Sequence, residues 1–132
     1  MESLLDKGKE VIRIEADAVS ALMDRIDDRF LAAVELIYAV SGRVVVTGLG
    51  KSGLIARKIA ATMSSTGTPA VFMHPTDAFH GDLGMIRPGD VAICVSKSGD
   101  TEEIRLLLPI LKHMGVKVIS MVGNVQSYLG TA

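Results

Sequence analysis

The sequence predicts an α/β domain in which a parallel sheet is covered by helices on both faces. Beyond Gly42, β-branched runs alternate with segments of helical periodicity, which is typical of parallel strands joined by helices. The strands around residues 44–46 and 91–93 are apolar on both faces, as expected where helices bury each side. The 132 residues, 48% of them hydrophobic, fit one domain. We predict N-terminal helices over residues 1–41 and an α/β core over residues 42–132.

The first 41 residues carry the pattern of two amphipathic helices. Apolar residues recur at helical spacing over residues 3–26. Four of them stand seven apart: Leu5, Ile12, Val19 and Ile26. Asp27 is a suitable N-cap for the second helix, which the Ser41-Gly42 pair should end. A minimal α/β unit does not need these helices, so we expect them to cover the sheet or to join a partner subunit.

The core elements follow in chain order. They are predicted as a strand at 43–47, a helix at 52–66, strands at 70–73 and 90–95, a helix at 101–114 and a strand at 116–122. Pro109 should kink the second of these helices without ending it. The long connection 74–89 is predicted to be a functional loop. Another helix begins near residues 126–129, and because the sheet edge would be left open, we expect the chain to be part of a longer protein.

Composition excludes several kinds of partner. The net charge is -1, the pI is near 6.3 and there is no Trp and no Lys/Arg block, so we expect no nucleic-acid partner. No apolar run approaches the roughly 18 residues of a membrane helix. The single cysteine, Cys94, lies in an apolar run and is predicted to be a buried structural thiol. With no disulfide within the chain and no export signal at the N-terminus, we expect a cytoplasmic protein.

The first candidate site is the glycine turn, residues 48–53, which reads Gly-Leu-Gly-Lys-Ser-Gly between a strand and a helix. Such turns bind anions through bare N–H groups and the helix dipole. Its Gly-x-Gly-x-x-Gly spacing suggests a dinucleotide site, but the acidic residue expected roughly 20 positions later is absent, since Met73, His74 and Pro75 stand there. A P-loop would require glycine at Val45. What remains is a generic phosphate turn with Lys51 adding charge, or a turn that merely packs.

The second candidate is the serine turn, residues 96–101, which reads Ser-Lys-Ser-Gly-Asp-Thr and opens the next helix. Three hydroxyls and several N–H groups at a helix N-terminus suit a phosphate, with Lys97 adding charge. Ordinary helix capping explains the same residues. Two such turns after strands one and three are less easily explained by capping, because those strands are neighbours in a doubly wound sheet ordered 2-1-3-4.

The third candidate is the loop around His74, Asp77, His80 and Asp82. Two histidines and two aspartates suggest a metal, but the spacing fits no standard zinc pattern. We therefore predict no metal. His80 is expected to reach the substrate, and His74 to have a structural role.

Four motifs together resemble the sugar isomerase (SIS) domain. They are the glycine turn with its strand, Thr-Gly-Thr-Pro-Ala at 66–70, His-Gly-Asp-Leu-Gly-Met at 80–85 and the serine turn. The likeness runs through essentially the whole chain. Within the superfamily, the sequence is most similar to D-arabinose 5-phosphate isomerases, which interconvert ribulose 5-phosphate and arabinose 5-phosphate.

The resemblance implies a flavodoxin-like three-layer αβα sandwich that binds a sugar phosphate and forms a homo-oligomer, a dimer or tetramer. It implies catalytic roles for Lys51, Glu103 and His80. Implied substrate-binding residues are Gly50, Ser52, Ser96, Lys97, Ser98 and Thr101. The family's usual Ser-Asn-Ser-Gly-Glu reads Ser-Lys-Ser-Gly-Asp here, so Lys97 and Asp100 should alter phosphate affinity or sugar preference. Family members continue into a fifth strand, further helices and often CBS modules.

Isomerisation through an enediol needs a base, a group that stabilises the oxyanion and a hold on the phosphate. We assign the first role to Glu103 and the second to Lys51. Neither a metal nor an organic cofactor is chemically necessary. The alternative is a non-catalytic module that binds a phosphosugar or sugar nucleotide, in which Ser96, Ser98 and Thr101 matter and Glu103 does not.

Overall fold

The computed structural model describes residues 3–132. The chain separates into two units, one ending at Glu35 and one spanning Leu36–Ala132. No helix over the described residues is both long enough and apolar enough to cross a membrane.

Residues 4–38 are mostly helical. α1 spans Leu4–Ser20 and is capped by Ser3, whose side chain accepts a hydrogen bond from the Asp6 N–H. A 3-10 turn at Ala21–Arg25 follows, so the predicted continuous helix to residue 26 is wrong. Asp27 caps the next helix as predicted, because its carboxylate accepts from the Arg29 N–H at 3.0 Å and α2 spans Asp28–Tyr38. α2 ends three residues before Ser41.

The sheet of the second unit has four parallel strands in the order β2-β1-β3-β4, which confirms the predicted order. The strands are β1 Val44–Gly48, β2 Ala70–Met73, β3 Val91–Ser96 and β4 Lys117–Val122. β1 and β3 each start one residue later than predicted, because the Arg43 N–H donates to the Asp90 carboxylate instead of to a neighbouring strand. Gly48 is paired with Val95, so the carboxyl ends of β1 and β3 lie side by side.

Helices cover both faces of this sheet. Val44 and Val46 are buried with Ala56 and Ala60 of α3, Gly50–Ser65, and Val45 is buried in a second cluster on the other face. That cluster includes Leu107 and Leu111 of α5, Glu102–His113. The arrangement is the predicted three-layer αβα sandwich.

Several helix boundaries differ from the prediction. α3 begins at Gly50 instead of residue 52, with Leu49 as its N-cap. The connection 74–89 was predicted as loop but contains α4, Pro75–Ala78, and a 3-10 turn, Asp82–Met85. Pro75 at the first helical position favours that short helix. α6 spans Tyr128–Thr131, and Pro109 lies inside α5.

Cys94 lies in the middle of β3 as a free, buried thiol, as predicted. Burial raises its pKa from 9.0 to about 12, because the thiolate would be desolvated by the apolar core. The thiol therefore stays protonated in the folded chain under conditions where the unfolded chain ionises.

Stability should consequently fall at high pH through Cys94. Below the unfolded pKa both states hold the proton, and above it only the folded state does. The free energy of unfolding should therefore decrease by up to ~1.4 kcal/mol per pH unit between the two pKa values. Urea denaturation of the wild type and of Cys94→Ala at about pH 8 and about pH 10.5 measures this. The stability difference between them should shrink at the higher pH, and a constant difference would refute the assignment.

Candidate functional site

A cleft of about 350 Å³ opens at the carboxyl ends of β1 and β3. In a doubly wound sheet this is the switch point, where one connecting helix leaves to one face and the next helix to the other. The lining residues are Leu49, Ser52, Val95, Ser96, Lys97, Ser98, Thr101 and Ile104. Both predicted turns therefore contribute to the same cleft.

The glycine turn brings α3 close to the sheet. A Cβ on Gly53 would lie 2.6 Å from the carbonyl oxygen of Gly48, and a Cβ on Gly48 would lie 2.9 Å from that of Val95. Gly50 has nothing within 4 Å of an added Cβ, but its φ of +58° is a backbone conformation that favours glycine. The close approach places Ser52 in the cleft, while Lys51 is exposed in the first turn of α3.

The serine turn is shaped by its own hydroxyls. The Ser96 Oγ accepts from the Gly99 N–H at 3.0 Å, and the Ser98 Oγ accepts from the Asp100 N–H at 3.3 Å. Each hydroxyl hydrogen stays free to be donated to another group, since these two bonds use only oxygen lone pairs. The two serines can thus fix the turn and donate to a ligand at the same time.

Thr101 has a different role at the start of α5. It occupies the N-cap position, but its side chain makes no capping hydrogen bond. Its Oγ1 is buried without a hydrogen-bond partner among residues 3–132. Leaving a buried hydroxyl unpaired costs roughly 1–3 kcal/mol, which a ligand in the cleft could recover.

The other four predicted site residues lie outside the set that lines the cleft. Gly50 and Lys51 are exposed at the start of α3, and Glu103 is half-buried in the first turn of α5. His80 is exposed just after α4, where its N–H donates to the Asp77 carbonyl oxygen at 2.9 Å. Lys51 and Glu103 are each adjacent in sequence to a lining residue, Ser52 and Ile104 respectively.

Sequence reasoning missed the apolar side of the cleft. Leu49, Val95 and Ile104 line it beside the hydroxyls. These side chains carry no polar or charged group that would mark them as site residues. Their positions carried a signal, because Val95 ends a buried strand and Ile104 follows Thr101 by three residues on a helix.

His74 has the structural role that was predicted. Its Nδ1 accepts from the Thr76 N–H at 3.2 Å and so caps α4, and its ring meets the edge of Phe72. Within residues 3–132, no three His, Cys, Asp or Glu side chains are grouped so that they could hold a metal ion.

A parallel α/β sandwich with hydroxyl-rich turns at its switch point is an arrangement that binds anionic ligands in other α/β domains. Comparison with known proteins narrows this class. Residues 37–132 match the SIS domain, and the chain belongs to that family.

Relatives and solved structures agree with this membership. The chain is 51% identical to arabinose 5-phosphate isomerase KdsD of Pseudomonas aeruginosa, over 97% of this chain and 39% of the relative. It is 45% identical to arabinose 5-phosphate isomerase GutQ of Escherichia coli K12, over 99% of this chain and 41% of the relative. The structure of an E. coli CFT073 protein in complex with arabinose 5-phosphate superposes with a TM-score of 0.90 at 44% identity, covering 97% of this chain and 68% of that one. The chain thus spans about two fifths of the length of these curated relatives.

If the two turns hold a phosphate, their lysines should strengthen its binding. Lys51→Gln and Lys97→Gln should each raise the Kd of inorganic phosphate about fivefold at low ionic strength, the modest effect of an exposed charge. Isothermal titration calorimetry at two salt concentrations measures this, and added salt should reduce the difference. Lys58→Gln is the matched control, since Lys58 is exposed further along α3. An equal loss in the control would show that only net charge matters.

Proposed function

We propose that the protein interconverts D-ribulose 5-phosphate and D-arabinose 5-phosphate through an enediol. The observation that carries this proposal is the 51% identity to an arabinose 5-phosphate isomerase over 97% of the chain, an alignment that includes the cleft. The related E. coli structure in complex with arabinose 5-phosphate supports the same class of ligand.

In this proposal, the phosphate group of the substrate is bound by two helix N-termini. α3, of 16 residues, and α5, of 12 residues, both begin at the cleft, so the positive ends of both dipoles favour an anion there. Ser52, Ser96, Ser98 and Thr101 add hydroxyl donors beside them. Gly50 and Lys97 complete the proposed substrate-binding set by close backbone approach and by charge.

The chemical steps are assigned to three residues outside the cleft lining. Glu103 acts as the base that removes the proton next to the carbonyl and returns it to the neighbouring carbon. Lys51 stabilises the oxyanion of the enediol, and His80 lines the sugar. The reaction moves one proton between neighbouring carbons and one between their oxygens, and it needs no oxidant, so this mechanism uses neither metal nor organic cofactor.

A second candidate function is binding without catalysis. One observation favours it, because the hydroxyl-bearing residues line the cleft while Glu103, Lys51 and His80 do not. In that case the domain is a module that senses or binds a phosphosugar or a sugar nucleotide.

The proposal also covers assembly and location. The apolar stripe of α1 is exposed in the single chain, with Leu5 77%, Ile12 70% and Val19 67% exposed. A second copy of the same chain would remove this apolar area from water, so we assign the protein to a homo-oligomer, a dimer or tetramer. A single buried thiol suits the reducing cytoplasm. The division into residues 1–41 and 42–132 remains a prediction.

Glu103→Gln tests the catalytic assignment. This change keeps the side-chain shape but removes the base, so turnover of ribulose 5-phosphate to the aldose should fall about 100- to 10,000-fold. Binding of the sugar phosphate should change by less than about threefold, because the phosphate hold is intact. Glu102→Gln, one residue earlier on the same helix, is the control. Wild-type chain that binds arabinose 5-phosphate without converting it would favour the non-catalytic module.

Ile12→Asp tests the assembly. Sedimentation velocity at micromolar concentration should find the wild type as a dimer or tetramer. A carboxylate in the middle of the apolar stripe should shift it towards monomer, because the charge would be desolvated in the interface. Asp17→Asn changes an exposed charge on the same helix and should not alter the assembly. A wild-type monomer would contradict the proposal.

A further inference from the structure

The backbone of the serine turn is held by a second segment of the chain. This supporting segment, residues 123–130, follows β4 and includes the start of α6. The Gly123 N–H donates to the Lys97 carbonyl oxygen at 3.0 Å, and the Leu129 N–H donates to the Gly99 carbonyl oxygen at 3.0 Å. Two of the turn's carbonyl groups are therefore fixed from outside the turn.

Packing at Gly99 brings the two segments into direct contact. Gly99 has a φ of +74°, and a Cβ there would lie 1.9 Å from the Ser127 Oγ. Ser127 cannot easily move aside, because it is 3% exposed and its hydroxyl donates to the Asn124 carbonyl oxygen at 2.6 Å. The turn thus rests directly on the supporting segment.

Asp100 also links the serine turn to the supporting segment. Its Oδ1 accepts from the Arg105 Nη2 at 2.7 Å and from the Tyr128 N–H at 3.1 Å. The Arg105 Nε also donates to the Asp100 carbonyl oxygen at 3.3 Å, and its guanidinium lies 4.8 Å from the centroid of the Tyr128 ring. One carboxylate and one guanidinium therefore link the serine turn, α5 and α6.

The ion pair between Asp100 and Arg105 also neutralises the charge of the Asp100 carboxylate. An unpaired carboxylate next to a phosphate-binding turn would repel a phosphate dianion. The Asp100 carboxylate instead faces the Arg105 guanidinium, and neither residue lines the cleft. From the sequence, Asp100 is expected to alter phosphate affinity or sugar preference, and its contacts are with Arg105 and the Tyr128 N–H.

We propose that Asp100 and Arg105 are positioning residues, which hold the serine turn in its phosphate-binding shape by tying it to the supporting segment. This inference rests on the proposed function, since it assumes that the serine turn binds the phosphate group. Asp100 tethers the turn through the Tyr128 N–H, and Arg105 both orients and neutralises the Asp100 carboxylate. Neither side chain has to touch the sugar phosphate.

Binding of inorganic phosphate and of arabinose 5-phosphate to the 132-residue chain tests this role. Asp100→Ala should raise both Kd values about tenfold, because the tether and its hydrogen bonds are lost. Asp100→Glu should restore most of the affinity by keeping a carboxylate. Arg105→Gln should weaken binding more than Arg105→Lys, and the Asp100→Asn change should partly compensate for Arg105→Gln by removing the unpaired charge. Glu102→Gln, an exposed carboxylate on the same helix, should not weaken binding.

Hydrogen exchange supplies a readout that does not depend on phosphate. Asp100→Ala should speed exchange of the Gly99 and Leu129 amides at least about tenfold, and leave amides of β1 unchanged. If exchange becomes faster but the Kd values are unchanged, the positioning role is wrong. It is also wrong if only the melting temperature falls while the exchange rates and the Kd values are unchanged. If the wild type binds neither ligand, the proposed function fails, while unchanged exchange in Asp100→Ala shows separately that the tether is wrong.

Discussion

The site depends on one steric constraint, the contact of backbone with backbone at Gly48 and Gly53. A side chain at either position would collide with main-chain atoms, so α3 can start against the end of β1 only with glycine in both places. The pairing of Gly48 with Val95 then carries this constraint across to β3. Ser52 and the serine turn share a cleft because three backbone segments meet without intervening side chains.

The parallel strand order places two helix N-termini beside this contact. α3 covers one face of the sheet and α5 covers the other, so their N-termini meet at the switch point from opposite sides. A ligand there faces two sets of helix N–H groups instead of one. The apolar residues Leu49, Val95 and Ile104 limit water beside these donors, and a drier surrounding strengthens each hydrogen bond to an anion.

Local patterns in the sequence predicted most of this fold and half of the site. The short apolar run at 70–73 located β2 to the residue, and glycine and serine turns at alternate strand ends predicted which residues meet in the cleft. The position of α4 depends on the side-chain cap from His74, and periodicity reports neither this cap nor the 3-10 turn after α1. The bond between the Tyr128 N–H and Asp100 could not be predicted, because Tyr128 is 28 residues away and uses its main-chain N–H, which any residue type except proline possesses. The roles of Lys51, His80 and Glu103 stay predictions.

The supporting segment also sets the order in which the site can be completed during synthesis. A chain emerging from the ribosome exposes the glycine turn, then the serine turn, and only later Tyr128 and Leu129. At roughly 5–20 residues per second, the delay between Asp100 and Leu129 is on the order of seconds, long compared with helix formation. A nascent chain released only as far as β4 would hold the sheet, yet its serine turn would lack the bond to the Gly99 carbonyl oxygen. The serine turn therefore gains this bond only after the strands that support it have been synthesised.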